Sequence, residues 1–106
     1  MRDDIIFSEK GASLTARLEC EIDHHTSRSM REKIDKALFE SRPEQLILDF
    51  SGVRFMDSSG LGLILGRCEV ASALGISVRL IGLSDRLMKL VRLGGIDRVK
   101  NLTVTK

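Results

Sequence analysis

The sequence contains no tryptophan and no tyrosine, and only four phenylalanines, one proline and two cysteines among its 106 residues. Because few aromatic side chains can stack on bases and the net charge is only +2, we expect no direct binding of nucleic acid. Cys20 and Cys68 fit no metal-binding or redox spacing, which favours a reduced, cytoplasmic protein. No apolar run approaches a membrane-spanning length, and residues 1–4 open no signal-peptide pattern, so we expect no membrane insertion.

The rest of the composition is that of an ordinary globular protein, with 42% hydrophobic and 30% charged residues. A chain of this length can bury a core of useful size but is too short for a two-domain enzyme. We therefore predict a single domain over residues 1–106.

Hydrophobic periodicity predicts an N-terminal β-hairpin followed by alternating helices and strands. The predicted strands are residues 5–8, 13–19, 46–50 and 76–80, with a last short strand or edge segment within 99–104. The predicted helices begin near Thr26, cover about 58–73, and follow an N-cap at Ser84. This order predicts an α/β fold with a mixed β-sheet, parallel βα units and helices packed on the sheet. Strand 46–50 is apolar at nearly every position, which is typical of a central strand covered on both faces.

The segment FMDSSGLG at residues 55–62 is the main candidate for a functional site. It follows strand 46–50 and opens a helix, so it places two hydroxyls at a helix N-terminus, where backbone N–H groups lack intrahelical partners. A serine there can cap the helix, act as a nucleophile or carry a phosphate group. These three alternatives stay open on the residues alone.

Glycines follow the two serines inside the predicted helix, where each costs up to about 1 kcal/mol relative to alanine. Gly62 and Gly66 are four positions apart and leave one helix face without side chains. For Gly66, close packing of the helix on the sheet is at least as good an explanation as contact with a partner.

Three other kinds of site find little support in the sequence. Asp23, His24 and His25 suggest a metal, but adjacent histidines in one loop do not supply the usual geometry and no third cluster exists. The glycines lack the Gly-Lys-Ser/Thr ending of a phosphate-binding loop. A hydrolase with Ser58 as nucleophile and one of the histidines as base would lack the Gly-x-Ser-x-Gly elbow.

Three segments carry a family resemblance: EIDHHT at residues 21–26, FMDSSGLG at 55–62 and ILGR at 64–67. They resemble the sporulation anti-sigma factor antagonists of endospore-forming bacteria, which belong to the STAS domain class. The resemblance extends over nearly the whole chain, although Cys20 stands where relatives usually place a glycine. It implies a STAS fold and a cofactor-free binding module rather than an enzyme. A STAS-type nucleotide-binding or stress-response regulatory module is the alternative within this class.

The resemblance also implies a phosphorylation switch and its partners. The dephosphorylated protein, a monomer when free, would bind an anti-sigma factor that is also a serine kinase, in its ATP- or ADP-bound form, and so release a sporulation sigma factor. The kinase would phosphorylate Ser58, and a serine phosphatase would restore the active form. For Gly60, beside the serines, we favour access for that kinase. The partner-binding residues would be Asp23, Asp57, Ser58, Ser59, Gly60 and Gly62. We expect free N–H groups at the helix start to accept the phosphate charge, while Asp57 repels it.

Overall fold

The computed structural model describes residues 4–105, so residues 1–3 of the opening segment and residue 106 lie outside the described chain. Eight helices and strands and one 3-10 turn follow one another along it. They are β1 (Ile5–Lys10), β2 (Ser13–Leu18), α1 (His24–Ser41), β3 (Gln45–Asp49), α2 (Ser58–Ala73), β4 (Ser77–Ile81), α3 (Asp85–Leu93), the 3-10 turn (Ile96–Arg98) and β5 (Leu102–Val104).

The five strands form one mixed sheet in the order β1-β2-β3-β4-β5. β1 and β2 pair antiparallel, and every later neighbour pairs parallel. This confirms the predicted hairpin and parallel βα units. Each crossover steps in the same direction across the sheet, and crossovers between parallel strands are right-handed. All three helices therefore lie on one face of the sheet.

The core lies between that face and the helices. Inward side chains alternate along the central strands and are buried: Leu14, Ala16, Leu18, Leu46, Leu48, Val78 and Leu80. On the opposite face Thr15, Ile47 and Arg79 are only half-buried. The prediction that strand 46–50 is covered on both faces is thus wrong, because the sequential strand order leaves the second face without helices.

Helix and strand boundaries differ from the predicted ones at a few places. α2 has the predicted bounds, and Gly75 (φ +73°) follows its end in the left-handed conformation expected of a helix stop. α1 begins at His24, two residues before the predicted start, because Asp23 caps it. β1 runs two residues further than predicted, to Lys10. The 3-10 turn was not predicted, and Cys20 is accommodated without a positive φ.

None of the helices within residues 4–105 has both the length and the apolar character that a membrane crossing requires.

Candidate functional site

Two helix N-termini lie side by side at the edge of the sheet where the parallel strands end. The loops that lead into α1 and α2 form an isolated parallel bridge between Ile22 and Met56. The Ile22 N–H donates to the Phe55 carbonyl at 3.0 Å, and the Asp57 N–H donates to the Ile22 carbonyl at 3.1 Å. The residues that follow the bridge, Asp23 and Asp57, therefore start their helices next to each other. Sequence reasoning could name both aspartates but not their proximity.

Asp23 caps α1. Its Oδ1 accepts hydrogen bonds from the backbone N–H groups of His25 at 2.8 Å and Thr26 at 2.9 Å. The Thr26 hydroxyl in turn accepts from the Asp23 N–H at 3.0 Å, which completes a capping box. The Thr26 N–H, followed by the His25 N–H, lowers the pKa of the Asp23 carboxyl below its ordinary value of 3.8. The Asp23 side chain is thus a fixed carboxylate at this edge.

Asp57 caps α2 with a single hydrogen bond to its side chain. Its Oδ1 accepts from the Ser59 N–H at 2.8 Å, and its backbone carbonyl accepts from the Gly60 N–H at 3.0 Å. The cap is therefore the aspartate, and the interpretation of Ser58 or Ser59 as the N-cap is wrong. Two of the N–H groups expected to be free for a phosphate, those of Ser59 and Gly60, are occupied by Asp57.

Ser58 is the first residue of α2 and is exposed. Within residues 4–105 its hydroxyl forms no hydrogen bond to another protein group. An α-helix turns about 100° per residue, so Ser58 shares a face with Gly62, Leu65 and Glu69, all exposed. Leu65 has 39% of its surface exposed. We name Ser58, Gly62, Leu65 and Glu69 the outer face of α2.

The glycines of α2 divide into two kinds. Gly60 is buried, and a Cβ atom on it would lie only 2.1 Å from Cγ and 2.2 Å from Sδ of Met56. A Cβ on Gly62 or Gly66 would meet nothing within 4 Å. The explanation of Gly66 by close helix–sheet packing is therefore wrong, since this position opens into free space. Gly60 has a packing reason for lacking a side chain, and its proposed contact with a kinase stays a prediction.

Two residues within the quoted segments, one beside the site and one further along α2, had no role predicted from the sequence. Phe55, in the loop beside Ile22, has 47% of its surface exposed. Arg67 of α2 is only 4% exposed, and its Nε lies 2.7 Å from Oδ1 of Asp35 on α1. Burial lowers the pKa of Arg67, and the Asp35 carboxylate opposes that shift. Neither Nε nor Nη1 of Arg67 has a well-aligned hydrogen bond in the described chain, so the contact is an ion pair. Nothing in the ILGR segment of the sequence predicts that its arginine is buried.

The two histidines do not assemble a second kind of site. His24 and His25 are both exposed on the first turn of α1. Within residues 4–105 no group of three or more His, Cys, Asp or Glu residues is placed to hold a metal ion. No hydrogen bond joins either histidine to Ser58 in that part of the chain, so the geometry of a nucleophile activated by a base is missing.

Comparison with known proteins gives a consistent result. The STAS domain family model matches residues 5–105. An anti-sigma F factor antagonist from Paenibacillus polymyxa is 34% identical over 86 residues, which cover 81% of this chain and 74% of that protein. The solved structure of the anti-sigma factor antagonist SpoIIAA in its unphosphorylated form is 28% identical, with a TM-score of 0.80 over 96% of this chain and 88% of the other. The phosphorylated form of SpoIIAA, a Bacillus cell fate determinant, gives a TM-score of 0.72 at 28% identity, over 96% and 91% of the chains.

Proposed function

This chain belongs to the STAS domain family, and from that premise we propose that it is an anti-sigma factor antagonist controlled by phosphorylation of Ser58. In the dephosphorylated state it binds an anti-sigma factor that is also a serine kinase, and so frees a sporulation sigma factor. Phosphorylation of Ser58 ends the binding, and a serine phosphatase restores it. Because a sigma factor acts in transcription, the exchange takes place in the cytoplasm, with this protein as a monomer between complexes.

The observation that carries the proposal is the state of Ser58. This serine is exposed at a helix start, and the capping role that a serine often has there belongs to Asp57. Its hydroxyl is therefore available to a kinase without loss of a structural hydrogen bond. The similarity to anti-sigma F factor antagonists, and to SpoIIAA in its phosphorylated form, supports the same assignment.

The electrostatics of the site support loss of binding on phosphorylation. A phosphate group adds about −1.5 to −2 charges at pH 7. It would join the carboxylates of Asp23 and Asp57 at one edge, and Asp57 already uses two N–H groups of the helix start. Both carboxylates therefore add to the negative charge that the phosphate brings to that edge. A partner that docks on this edge must remove water from the phosphate or bring its own acidic groups close to it, and both weaken binding. A loss of about 3 kcal/mol in binding free energy weakens binding on the order of a hundredfold.

The contact surface is proposed to centre on Asp23, Asp57, Ser58 and Ser59, with Gly62 on the outer face of α2. A protein interface of standard size takes roughly 800 Å² from each partner, so neighbouring residues must contribute. Phe55 is the strongest addition, because an exposed aromatic ring at an otherwise polar edge is a common anchor in protein interfaces.

The test uses the anti-sigma factor encoded by the same organism. The chain is incubated with that protein and ATP, and any phosphate is located by mass spectrometry. We expect one phosphate on Ser58, none on the Ser58→Ala variant, and normal phosphorylation of a matched Ser59→Ala variant. In the presence of ADP, the Ser58→Ala variant should bind the anti-sigma factor as tightly as the unchanged chain does. The Ser58→Asp variant should bind it much more weakly.

Each outcome has a distinct meaning. Phosphate on Ser59 alone keeps the function and moves the site by one residue. Tight binding by Ser58→Asp contradicts the electrostatic explanation. Absence of both phosphate and complex removes the proposed partner and leaves a nucleotide-binding module to be tested by titration with ATP and GTP.

A further inference from the structure

One flank of α1 faces α2, and the ion pair between Asp35 and Arg67 identifies it. Because a helix repeats every 3.6 residues, the positions four, seven and eleven before Asp35 lie on the same stripe. These positions hold Arg31, Arg28 and His24. The charge of Arg31 also lowers the pKa of Arg67, as expected for a cation near the same interface.

This flank carries positive charge that the domain does not neutralise. Arg28 and Arg31 are exposed, and neither of them forms an ion pair within residues 4–105. Glu32 lies one turn after Arg28 and is exposed, but the two side chains form no ion pair within residues 4–105. The first turn of α1 contains no acidic residue.

Toward solvent, the flank of α2 that faces α1 carries small residues. Ser59, Gly62 and Gly66 lie along one stripe, and a Cβ on either glycine would meet nothing within 4 Å. On the other flank of α2, Leu61 lies against Gly94 after α3, where a Cβ on the glycine would be 3.0 Å from Leu61 Cδ1. The glycine stripe is therefore the one turned toward α1.

We propose that the space between these flanks, the α1–α2 trough, receives a carboxylate-bearing segment of the anti-sigma factor. The trough consists of Arg28 and Arg31 on one side and Ser59, Gly62 and Gly66 on the other. This inference rests on the proposed function and specifies the chemistry of the partner. Unneutralised cations select an acidic segment, and the bare glycine wall allows its backbone to approach closely. The trough is also continuous with the proposed interface, since Ser59 follows Ser58 and Gly62 borders both surfaces.

Charges at the rim of an interface act mainly on association. Complementary fields raise association rate constants by about 10- to 1,000-fold at low salt, and the gain falls steeply with ionic strength. Reversing two cations of the trough should therefore slow association at least tenfold and flatten its salt dependence, with a smaller effect on dissociation.

The experiment compares charge variants of the whole chain for binding to the ADP-bound anti-sigma factor of the same organism. Arg28→Glu/Arg31→Glu reverses the trough, and Arg28→Lys/Arg31→Lys keeps its charge. Arg98→Glu/Lys100→Glu is the matched control, because both residues are exposed outside α1 and α2 and the net charge changes equally. Association and dissociation rates are measured by surface plasmon resonance between 50 and 300 mM salt, and circular dichroism verifies folding of each variant.

We expect slow association with a flattened salt dependence for the glutamate pair only, and nearly normal rates for the lysine pair and the control. Equal slowing in the glutamate pair and the control overturns the trough, since net charge would then explain the effect. Unchanged association of the glutamate pair overturns it as well, while leaving the antagonist function intact. Failure of the unchanged chain to bind overturns both proposals together, so the two failures are distinguishable.

Discussion

Replacement of Gly60 by alanine tests the packing of α2 against its own N-terminal loop. The added Cβ would lie 2.1 Å from Cγ and 2.2 Å from Sδ of Met56, which is itself buried. Overpacking of this kind costs about 1–3 kcal/mol. Alanine in place of glycine gains up to about 1 kcal/mol of helix propensity. The net result expected for Gly60→Ala is a destabilisation of roughly 0–2 kcal/mol.

Gly62→Ala is the matched control, because its Cβ meets nothing within 4 Å. This variant should benefit from the higher helix propensity of alanine without a steric cost, and its free energy of unfolding should rise by about 0.5–1 kcal/mol. The two variants should thus differ by about 1–3 kcal/mol, the steric cost. Free energies of unfolding are measured by urea denaturation monitored by circular dichroism.

A double-mutant cycle with Met56→Ala tests the cause. Met56→Ala alone should cost about 2–5 kcal/mol through the cavity it leaves. In that background Gly60→Ala should no longer destabilise, because the overlapping side chain is gone. Equal stability of Gly60→Ala and Gly62→Ala in the otherwise unchanged chain would refute the packing argument and reopen access to a kinase as the reason for the glycine.

Three further predictions concern the caps and the buried ion pair. Asp57→Ala should lower the free energy of unfolding, measured by urea denaturation, by about 1 kcal/mol, because the Ser59 N–H loses its acceptor. Ser58→Ala should leave the free energy of unfolding unchanged. Similar losses in the two variants would contradict the assignment of the cap to Asp57. The pKa of Asp23 is lowered, so the stabilisation from its ionised form is present above its ordinary value of 3.8 and is lost as pH falls through the lower folded value. The difference in stability between the unchanged chain and Asp23→Asn should therefore shrink as urea titrations move below pH 3.8, and a constant difference would refute it. Asp35→Ala should cost about 3 kcal/mol by leaving the Arg67 charge buried and unpaired, and Asp35→Ala/Arg67→Met should recover much of this loss; an equally unstable double variant would contradict it.

Local sequence patterns were sufficient for most of the fold. Alternation in residues 13–19, the helical run 58–73 and the N-cap Ser84 each depend on interactions within a few positions, and each is found in the structure. The prediction that both faces of β3 are covered was wrong. The apolar residues of β3 show that its side chains avoid water, but they do not show which elements pack on each face. Ile47 is apolar yet half-buried, since all three helices pack on the other face of the sheet.

The site was predictable in its residues but not in their roles. The Asp-Ser-Ser-Gly sequence indicates a helix start. The side chain that caps the helix is decided by backbone dihedral angles, which cannot be read from the sequence. Asp57 has an extended backbone (φ −97°, ψ −168°) and its carboxylate reaches the Ser59 N–H. Gly60, Gly62 and Gly66 look alike in sequence, and only the position of Met56 separates the first from the other two. Burial of Arg67 depends on Asp35, which lies 32 positions earlier on another helix.

The proposed switch and the proposed trough reinforce each other physically. The trough attracts carboxylates through cations near the start of α1, and Ser58 stands at the start of the neighbouring helix. A phosphate there would reduce the positive potential that draws the partner in, in addition to opposing it at the contact itself. Both effects act without any rearrangement of α2, whose first N–H groups stay bound to Asp57. Phosphorylation should therefore slow association most strongly at low salt, and reversal of Arg28 and Arg31 should remove part of that salt dependence.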